Sequence, residues 1–236
     1  MKTGTLYIIP SDFGEDSLIL LPSCAIDIIH GLNHFVVENE KTARSYLKRI
    51  HYPKPLNGLV LFALNNHTPK DEVRKFIEPL LKGIDVGVLS EAGCPGIADP
   101  GADVVKIAHS MSIAIKPLTG PSSILLALMA SGFSGQNFVF HGYLPKEKNE
   151  RLKKIQRMES DSGNRNQTQL FIETPYHNNN LLKELTDICS KNTMLCIATD
   201  ITLPNEFIKS MSIGDWKKNL PDLNKRPTVF LIYAGQ

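Results

Sequence analysis

The sequence predicts an α/β protein made of two α/β domains with mostly parallel sheets. Apolar runs of strand length alternate with polar or amphipathic segments of helix length. The apolar runs are continuous, which is typical of strands that are buried on both faces of a parallel sheet. The alternation restarts after residues 116–119, so we place the domains at residues 1–117 and 118–236.

In the first domain, the opening apolar run at residues 6–9 stops at Pro10 and a turn-rich stretch, which indicates a buried strand that ends in a loop. Thr68 and Pro69 have the form of an N-cap followed by proline at the first helical position. Further strands are expected at residues 34–38, 59–64, 86–89 and 113–115, with helices at 41–50, 68–81 and 102–110.

The second domain is predicted to open with an apolar helix that begins at Gly120 and runs through Met129. Its remaining elements are strands at residues 138–142, 170–173, 194–198 and 229–233, and a basic helix at 151–158. Residues 161–167 (DSGNRNQ) are rich in turn-forming side chains and are expected to form a polar loop or hairpin tip.

Composition excludes several classes of protein. With 42% hydrophobic and 21% charged residues, the chain is an ordinary globular one, and its net charge of +2 gives no general attraction to nucleic acid or membrane. A local basic patch would still be compatible with an RNA substrate. The apolar runs are shorter than the ~20 residues that cross a bilayer, and the N-terminus lacks the pattern of a signal peptide. We therefore expect a soluble cytoplasmic protein without membrane contact.

The four cysteines do not suggest a metal site. No C-x-x-C pair and no Cys/His cluster with zinc-finger spacing occurs in the sequence. Free thiols in a reducing compartment, with no bound metal, are the expectation for Cys24, Cys94, Cys189 and Cys196.

Residues 90–101 (SEAGCPGIADPG) lie between a predicted strand and a predicted helix, at the carboxyl edge of a parallel sheet where ligands bind in open α/β folds. Gly93 and Gly96 allow backbone conformations and close approaches that a side chain would block. Asp99 and Pro100 are expected to act as N-cap and first helical residue. The segment is neither G-x-G-x-x-G nor a P-loop. On these residues alone, a rigid ligand loop and a tight turn without a ligand remain equally open.

A family resemblance favours the rigid ligand loop over the tight turn without a ligand. Residues 90–101 resemble the S-D-A-G-T-P-L-I-S-D-P-G motif of the ribosomal small-subunit methyltransferase I family, which belongs to the tetrapyrrole methylase superfamily. Four further blocks follow the family's order and are similar to its G-T-L-Y-V-V-x-T-P-I-G, P-G-P-S-A, F-x-G-F-L-P and E-S-P-H-R motifs. They are residues 4–10 (GTLYIIP), 119–123 (TGPSS), 140–145 (FHGYLP) and 173–177 (ETPYH).

The resemblance implies a methyltransferase that binds S-adenosyl-L-methionine in the cleft between its two domains, usually as a homodimer. For Ser122 and Ser123 the simpler explanation is helix capping, and for Ile97, Ile124 and Phe171 it is core packing. The cofactor contacts that the resemblance implies are Ile9, Pro10, Gly93, Cys94, Pro95, Ile97, Ser122, Ser123, Ile124, Phe171, Ala198 and Thr228.

Methyl transfer to a hydroxyl requires a base as well as alignment of the reacting atoms ~3–3.5 Å apart. Glu38, Glu173 and Asp200 each lie near the end of a predicted strand. A capping or ion-pair role is the alternative for each of them. We choose Glu38 as the candidate catalytic residue because it falls where the family's E-D-T-R motif begins.

The chain departs from the family on the side expected to meet RNA. The E-D-T-R motif reads Glu38-Asn39-Glu40-Lys41 here, and A-R-E-L-T-K reads ATDITL at residues 198–203. The chain therefore has fewer positive charges for binding phosphates on that side. A basic segment remains at residues 146–157, where Lys153 and Lys154 belong either to a solvated helix face or to an RNA-facing patch.

Three functions follow in order of preference. The first is 2′-O-ribose methylation of small-subunit ribosomal RNA, or of another RNA site by a paralogue. The second is methylation of a corrinoid or porphyrin precursor. The third is a cofactor-binding module that has lost catalysis.

Overall fold

The computed structural model describes residues 2–14, 20–65 and 68–235. The chain divides into two compact units, Met1–Ser122 and Ser123–Gln236, whereas the sequence placed the boundary after Pro117. Each unit contains a five-stranded sheet with helices, so the expected α/β class is confirmed.

The first unit contains a parallel sheet with the strand order β3-β2-β4-β1-β5. Its elements are β1 (Thr5–Ile9), α1 (Ser23–Gly31), β2 (His34–Val37), α2 (Glu40–Arg49), β3 (Val60–Ala63), α3 (Lys70–Lys75), α4 (Glu78–Leu81), β4 (Val86–Leu89), α5 (Gly101–Ser110) and β5 (Ala114–Pro117).

The central strands β1, β2 and β4 have buried residues on both faces of this sheet, as their continuous apolar runs predicted, whereas the edge strands β3 and β5 are more exposed. Ile9 and Phe35 belong to one hydrophobic cluster, while Leu6, Val36 and Val88 belong to another. Adjacent residues of one strand thus enter different cores, because side chains alternate across a strand.

The second unit contains a sheet with the strand order β6-β7-β10-β8-β9. Its elements are α6 (Ser123–Ser131), β6 (Phe138–Tyr143), α7 (Lys148–Arg165), β7 (Thr168–Ile172), α8 (Asn178–Ile188), β8 (Met194–Thr199), β9 (Phe207–Ser212), α9 (Ile213–Trp216) and β10 (Thr228–Tyr233).

In this second sheet the pair β6–β7 is parallel, and the pairs β7–β10, β10–β8 and β8–β9 are antiparallel. The expectation of a mostly parallel sheet is therefore wrong for this unit. Strand β10 inserts between β7 and β8 and runs opposite to both, and β9 returns beside β8 after a short connection. A short connection permits an antiparallel pair but not a parallel one, which needs a longer crossover.

Three local expectations also differ from the structure. The helix expected at residues 68–81 is two helices, and its N-cap is Pro69, while the Thr68 hydroxyl accepts the Asn65 N–H at 2.9 Å. Helix α5 begins at Gly101 with Pro100 as its N-cap, whereas Asp99 was the expected N-cap and Pro100 the expected first helical residue.

The third difference concerns residues 161–167, which were expected to form a loop. Helix α7 continues through the first of them and ends at Arg165. Ile155, Met158 and Ser162 are buried at helical spacing, so packing extends the helix through its polar residues. Asn166 then ends it in the left-handed conformation at a φ of 50°.

No helix among the described residues combines the length and apolar composition that a membrane span requires. Within those same residues, no group of three or more His, Cys, Asp or Glu side chains is placed to bind a metal ion. All four cysteines are free thiols.

Candidate functional site

The carboxyl ends of three parallel strands meet in one row of the first sheet. Leu89 at the end of β4 is in register with both Ile9 of β1 and Val37 of β2. The residues that follow these strands therefore leave the sheet side by side. They include Pro10, Glu38 and Ser90.

The loop after β4 is tied to the loop after β1. Ser11 and Gly93 exchange two backbone hydrogen bonds, with N···O distances of 2.8 and 3.1 Å. The Ser11 hydroxyl donates to the Ser90 carbonyl at 2.6 Å, and the Ser90 hydroxyl donates to the Gly93 carbonyl at 2.8 Å. These four bonds hold residues 90–93 in a fixed position at the edge of the sheet.

The glycines of this loop adopt the backbone conformations that the motif predicted. Gly93 has a φ of 73°, and a Cβ on it would lie 3.2 Å from Cε1 of Phe13. Gly96 has a φ of 81°. One Asp99 carboxylate oxygen accepts the N–H groups of both Gly96 and Gly101 at 2.7 Å. Burial raises the pKa of Asp99, and these two donors oppose the rise.

The structure brings most of the expected first-unit cofactor residues to this edge. Pro10 is buried and packs so closely on Gly120 that a Cβ there would lie 2.4 Å from the Pro10 Cβ. The Cys94 thiol donates to the Pro121 carbonyl at 3.5 Å, and burial raises its pKa. Ile97 is 51% exposed. Ile9 and Pro95 are buried, and Ser122 is half-buried.

The expected second-unit residues lie at the ends of neighbouring strands and belong to the core. Phe171 is fully buried and stacks on Phe230 at 5.8 Å between ring centroids. Ala198 is fully buried, and the Thr228 hydroxyl donates to the Thr199 hydroxyl at 2.8 Å. The core-packing alternative thus describes the side chain of Phe171, and Ala198 is a core residue as well.

Ser123 and Ile124 form the start of helix α6. Ile124 is partly buried and packs against the hydrophobic cluster that contains Ala198. Core packing accounts for this side chain too.

Glu38, the candidate base, lies directly after β2 and is half-buried. One of its carboxylate oxygens accepts the Glu91 N–H at 3.1 Å. Burial is the main cause that raises the pKa of Glu38, and the nearby carboxylates of Asp99 and Glu91 raise it further. The Glu91 N–H opposes this shift.

The two other carboxylates have structural partners. Glu173 is half-buried, and its Oε1 accepts the N–H of Thr174 at 2.6 Å and the hydroxyl of the same residue at 3.2 Å. Asp200 accepts from Nε of Arg226 at 2.7 Å. The capping and ion-pair alternatives describe these residues, whereas Glu38 lines a pocket.

That pocket has a volume of about 260 Å³ and is bounded by the loops after β1, β2 and β4 and by one face of α2. Thr42, Ser45, Tyr46 and Arg49 provide the α2 face. The sequence predicts α2 only as a polar helix. The signal that could have found this face is its i, i+3, i+4, i+7 spacing, which puts four polar or aromatic side chains on one side of a helix.

A buried carboxylate fixes the arginine of this pocket. Nη2 of Arg49 lies 2.7 and 2.8 Å from the two oxygens of Asp12, and Nε lies 3.3 Å from one of them. Arg49 also donates to the Ser45 hydroxyl at 3.1 Å. The Tyr46 hydroxyl donates to the Pro10 carbonyl at 3.2 Å, and burial raises its pKa.

The residues that depart from the E-D-T-R motif have local roles. Asn39 is the N-cap of α2, and its side chain accepts the N–H groups of Lys41 and Thr42 at 2.9 and 3.3 Å. In the basic segment, Arg151 pairs with Glu184 at 2.7 Å, whereas Lys153 is exposed.

Comparison with known proteins agrees with this architecture. The sequence profile of the Tetrapyrrole (Corrin/Porphyrin) Methylases matches residues 21–216. The chain is 30% identical to a protein named Ribosomal RNA small subunit methyltransferase I from Buchnera aphidicola subsp. Schizaphis graminum, over 99% of this chain and 79% of that protein. It is 26% identical to the protein of the same name from Vibrio cholerae serotype O1, over 97% and 77% of the two chains.

Among solved structures, diphthine synthase superposes with a TM-score of 0.69 over 98% of this chain and 89% of that one. The two sequences are 13% identical, so this likeness shows the fold alone. The profile match and the near full-length relatives also show the family. This chain belongs to the tetrapyrrole (corrin/porphyrin) methylase family and is an S-adenosylmethionine-dependent methyltransferase.

Proposed function

We propose that this protein methylates a ribose 2′-hydroxyl in the RNA of the small ribosomal subunit. The observation that carries the proposal is the similarity to relatives named Ribosomal RNA small subunit methyltransferase I, which extends over 97% or more of the chain in the first three of them. The proposal also includes the cytoplasm as the location and a homodimer as the assembly.

The loop after β4 fits the cofactor chemically. Positive φ angles at Gly93 and Gly96 turn backbone groups, rather than side chains, toward a ligand. The bonds from Ser11 and Asp99 keep the loop rigid, so little order has to be gained on binding. We assign Gly93, Cys94, Pro95 and Ile97 to cofactor binding, together with Ile9, Pro10, Ser122, Ser123, Ile124, Phe171, Ala198 and Thr228.

S-adenosylmethionine supplies a methyl group on a sulfonium, which is a strong electrophile. The Glu38 carboxylate would accept the proton of the ribose hydroxyl while the oxygen–methyl bond forms and the methyl–sulfur bond breaks. A raised pKa suits this role, because a general base works best when its pKa approaches the working pH. The products are the methyl ether, a protonated Glu38 and S-adenosylhomocysteine.

Exposed cations of α7 are the proposed RNA contacts. Arg151 is tied to Glu184, and Arg157 lies 3.8 Å from Asp161, so these two charges are partly neutralised. Lys153 is exposed and Lys154 is half-buried beside it. Phosphate contacts by such lysines would position the RNA without reading its sequence.

Transfer of labelled methyl from S-adenosylmethionine to ribosomal RNA tests the proposed function. Small and large subunits from a strain that lacks the gene serve as substrates, and subunits from the parent strain serve as the control. We expect label in the small-subunit RNA of the deletion strain and little in that of the parent, whose site is already methylated. Equal label in both strains, or label confined to large-subunit RNA, contradicts the proposed substrate.

A thermal-shift measurement with S-adenosylmethionine keeps the alternatives apart. A stabilised protein that labels no RNA indicates either a small-molecule acceptor or a module that binds the cofactor without catalysis. Incubation with a porphyrin precursor then separates these two.

A further inference from the structure

The pocket beside Glu38 shares a wall with the glycine-rich loop. Ser90, Glu91 and Ala92 line the pocket, and the next residue, Gly93, is bonded to Ser11, which also lines it. A group in this pocket would therefore lie next to the proposed cofactor loop and in contact with the proposed base.

Arg49 is held in this pocket as a fixed hydrogen-bond donor. Asp12 is only 4% exposed and binds the Nε and Nη2 side of the guanidinium, while Nη1 reaches Ser45. A guanidinium has five N–H groups in a rigid plane, so the second Nη1 hydrogen stays directed by this arrangement. The arginine can thus donate to a ligand without first losing side-chain entropy.

The charge of the pocket argues against a phosphate as its ligand. The Asp12 carboxylate offsets the positive charge of Arg49, and the carboxylates of Glu38 and Glu91, which also line the pocket, add negative charge. Like charges at short range repel, so an anionic group is disfavoured here. A neutral group with hydrogen-bond acceptors is favoured.

The size of the pocket limits further which ligands can bind there. Its volume of about 260 Å³ lies just below the ~300 Å³ at which small-molecule sites usually begin. That is room for one nucleoside rather than for a stacked helix. Bases of RNA that are recognised specifically are usually unstacked and bound singly.

We propose that this pocket binds the acceptor nucleoside of the RNA, unstacked from its neighbours, and that Arg49 donates a hydrogen bond to it. Asp12 is then a positioning residue that acts through Arg49. This inference rests on the proposed function, since it takes an RNA ribose as the methyl acceptor.

Kinetics with the RNA substrate give the first test. Arg49→Lys keeps the charge but cannot bridge both Asp12 oxygens, so we expect KM for RNA to rise about tenfold, with a smaller change in kcat. The Kd for S-adenosylmethionine should stay within about twofold. Asp12→Asn should raise the same KM. In the double variant, the free-energy change that corresponds to the rise in KM should be smaller than the sum of the changes in the two single variants.

Arg44→Lys is the matched control. Arg44 lies on the same helix, contacts the Leu56 carbonyl and Glu40, and does not line the pocket. The KM of Arg44→Lys for RNA should be the same as that of the wild type. A parallel loss of cofactor affinity in Arg49→Lys would mean that the pocket holds part of the cofactor, and would overturn the proposal.

A binding measurement on free nucleosides does not depend on which RNA is the substrate. Saturation-transfer NMR is recorded with cytidine, uridine and guanosine while S-adenosylhomocysteine fills the cofactor site. We expect transfer to at least one nucleoside in the wild type and in Arg44→Lys, loss in Arg49→Lys, and weaker transfer to the matching 5′-monophosphate. No transfer in the wild type, or equal transfer in Arg49→Lys, overturns the pocket assignment even if small-subunit RNA is methylated. Transfer as expected without methylation of that RNA instead contradicts the proposed function alone.

Discussion

Each unit of this protein has an aspartate paired with an arginine next to the end of a strand, and the two pairs differ in burial and in what surrounds them. Asp12 follows β1 and accepts from Arg49 at 2.7 Å, and Asp200 follows β8 and accepts from Arg226 at 2.7 Å. Arg226 also donates to the Asn205 carbonyl at 2.7 Å.

The surroundings give the two pairs different roles. Arg226 joins the connection after β8 to the start of β10, which is a structural task. Arg49 donates to Asp12 and to Ser45 of its own helix, and it lines a pocket that also contains Glu38. The same two residue types therefore stabilise a turn in one unit and present a donor to a pocket in the other. An ion pair between the same residue types does not identify a functional site, whereas the neighbouring open volume does.

The largest effect is expected from Glu38→Gln. Removal of a general base lowers kcat by about 10²- to 10⁴-fold. Glu173→Gln is the matched change in the second unit, where the carboxylate binds the Thr174 N–H and hydroxyl, and it should leave kcat nearly unchanged. Single-turnover methyl transfer measures both. A similar decrease of kcat in both variants would contradict the assignment of the catalytic base to the first unit.

The pH dependence of kcat sharpens the same contrast. Glu38 must be ionised to accept a proton, and its pKa is raised above the ordinary 4.5, so kcat should fall as pH decreases through that raised pKa. The unfolding free energy has the opposite pH dependence to kcat. The folded state favours the protonated form, so unfolding free energy is lost as pH rises from 4.5 through the raised pKa. Glu38→Gln should abolish both dependences.

The next largest effect concerns the cofactor. Gly93→Ala puts a methyl group 3.2 Å from the Phe13 ring, in a loop proposed to hold S-adenosylmethionine. Gly132 of the second unit has a similar φ of 75°, and a Cβ on it meets no described atom within 4 Å. Both changes should cost ~1–2 kcal/mol of stability through the left-handed backbone. Only Gly93→Ala should weaken cofactor binding, by about tenfold or more on calorimetry.

A smaller effect is expected from the lysines of α7. Lys153→Glu with Lys154→Glu should weaken RNA binding at low salt. The slope of the logarithm of the binding constant against the logarithm of salt concentration should become shallower by about one for each phosphate that the variant no longer binds. Lys75→Glu with Lys82→Glu makes the same charge change on exposed lysines of the first unit. Fluorescence anisotropy over a salt series compares the two. Equal effects would show that net charge, rather than α7, determines RNA binding.

The smallest effect on activity is expected from Arg226→Lys. Without the hydrogen bonds to Asp200 and the Asn205 carbonyl, the unfolding free energy should decrease by ~1–3 kcal/mol. At a chain of this size, each kcal/mol corresponds to ~2–4 °C in Tm. Methyl transfer below the melting range should not change. An increased KM for RNA in Arg226→Lys would place the second pair in the functional site as well.

Much of the first unit could be predicted from sequence, because local signals and packing agree there. Continuous apolar runs correspond to β1, β2 and β4, and the positive φ angles of Gly93 and Gly96 follow from their place in the loop. Helix α1 was not predicted, although Ala25 and Ile29 are buried at helical spacing.

The second sheet could not be predicted in the same way, because strand direction is a long-range property. Nothing local in residues 228–233 states that β10 inserts between β7 and β8. Strand β9, whose residues are mostly half-buried, lacks a continuous apolar run. The Asp12–Arg49 pair was missed for a similar reason, since two residues far apart in the chain become partners only when α2 packs on the sheet.

The chemical form of the transferred label tests most directly whether the first-unit edge directs a methyl group to a ribose hydroxyl of small-subunit RNA. Small-subunit RNA labelled by this protein is hydrolysed with alkali and its products are separated. A 2′-O-methyl group blocks cleavage at its own nucleotide, so we predict label in an alkali-resistant dinucleotide, which Glu38→Gln should form about 10²- to 10⁴-fold more slowly. Label in an ordinary mononucleotide would place the methyl group on a base and contradict the proposed 2′-O-methylation.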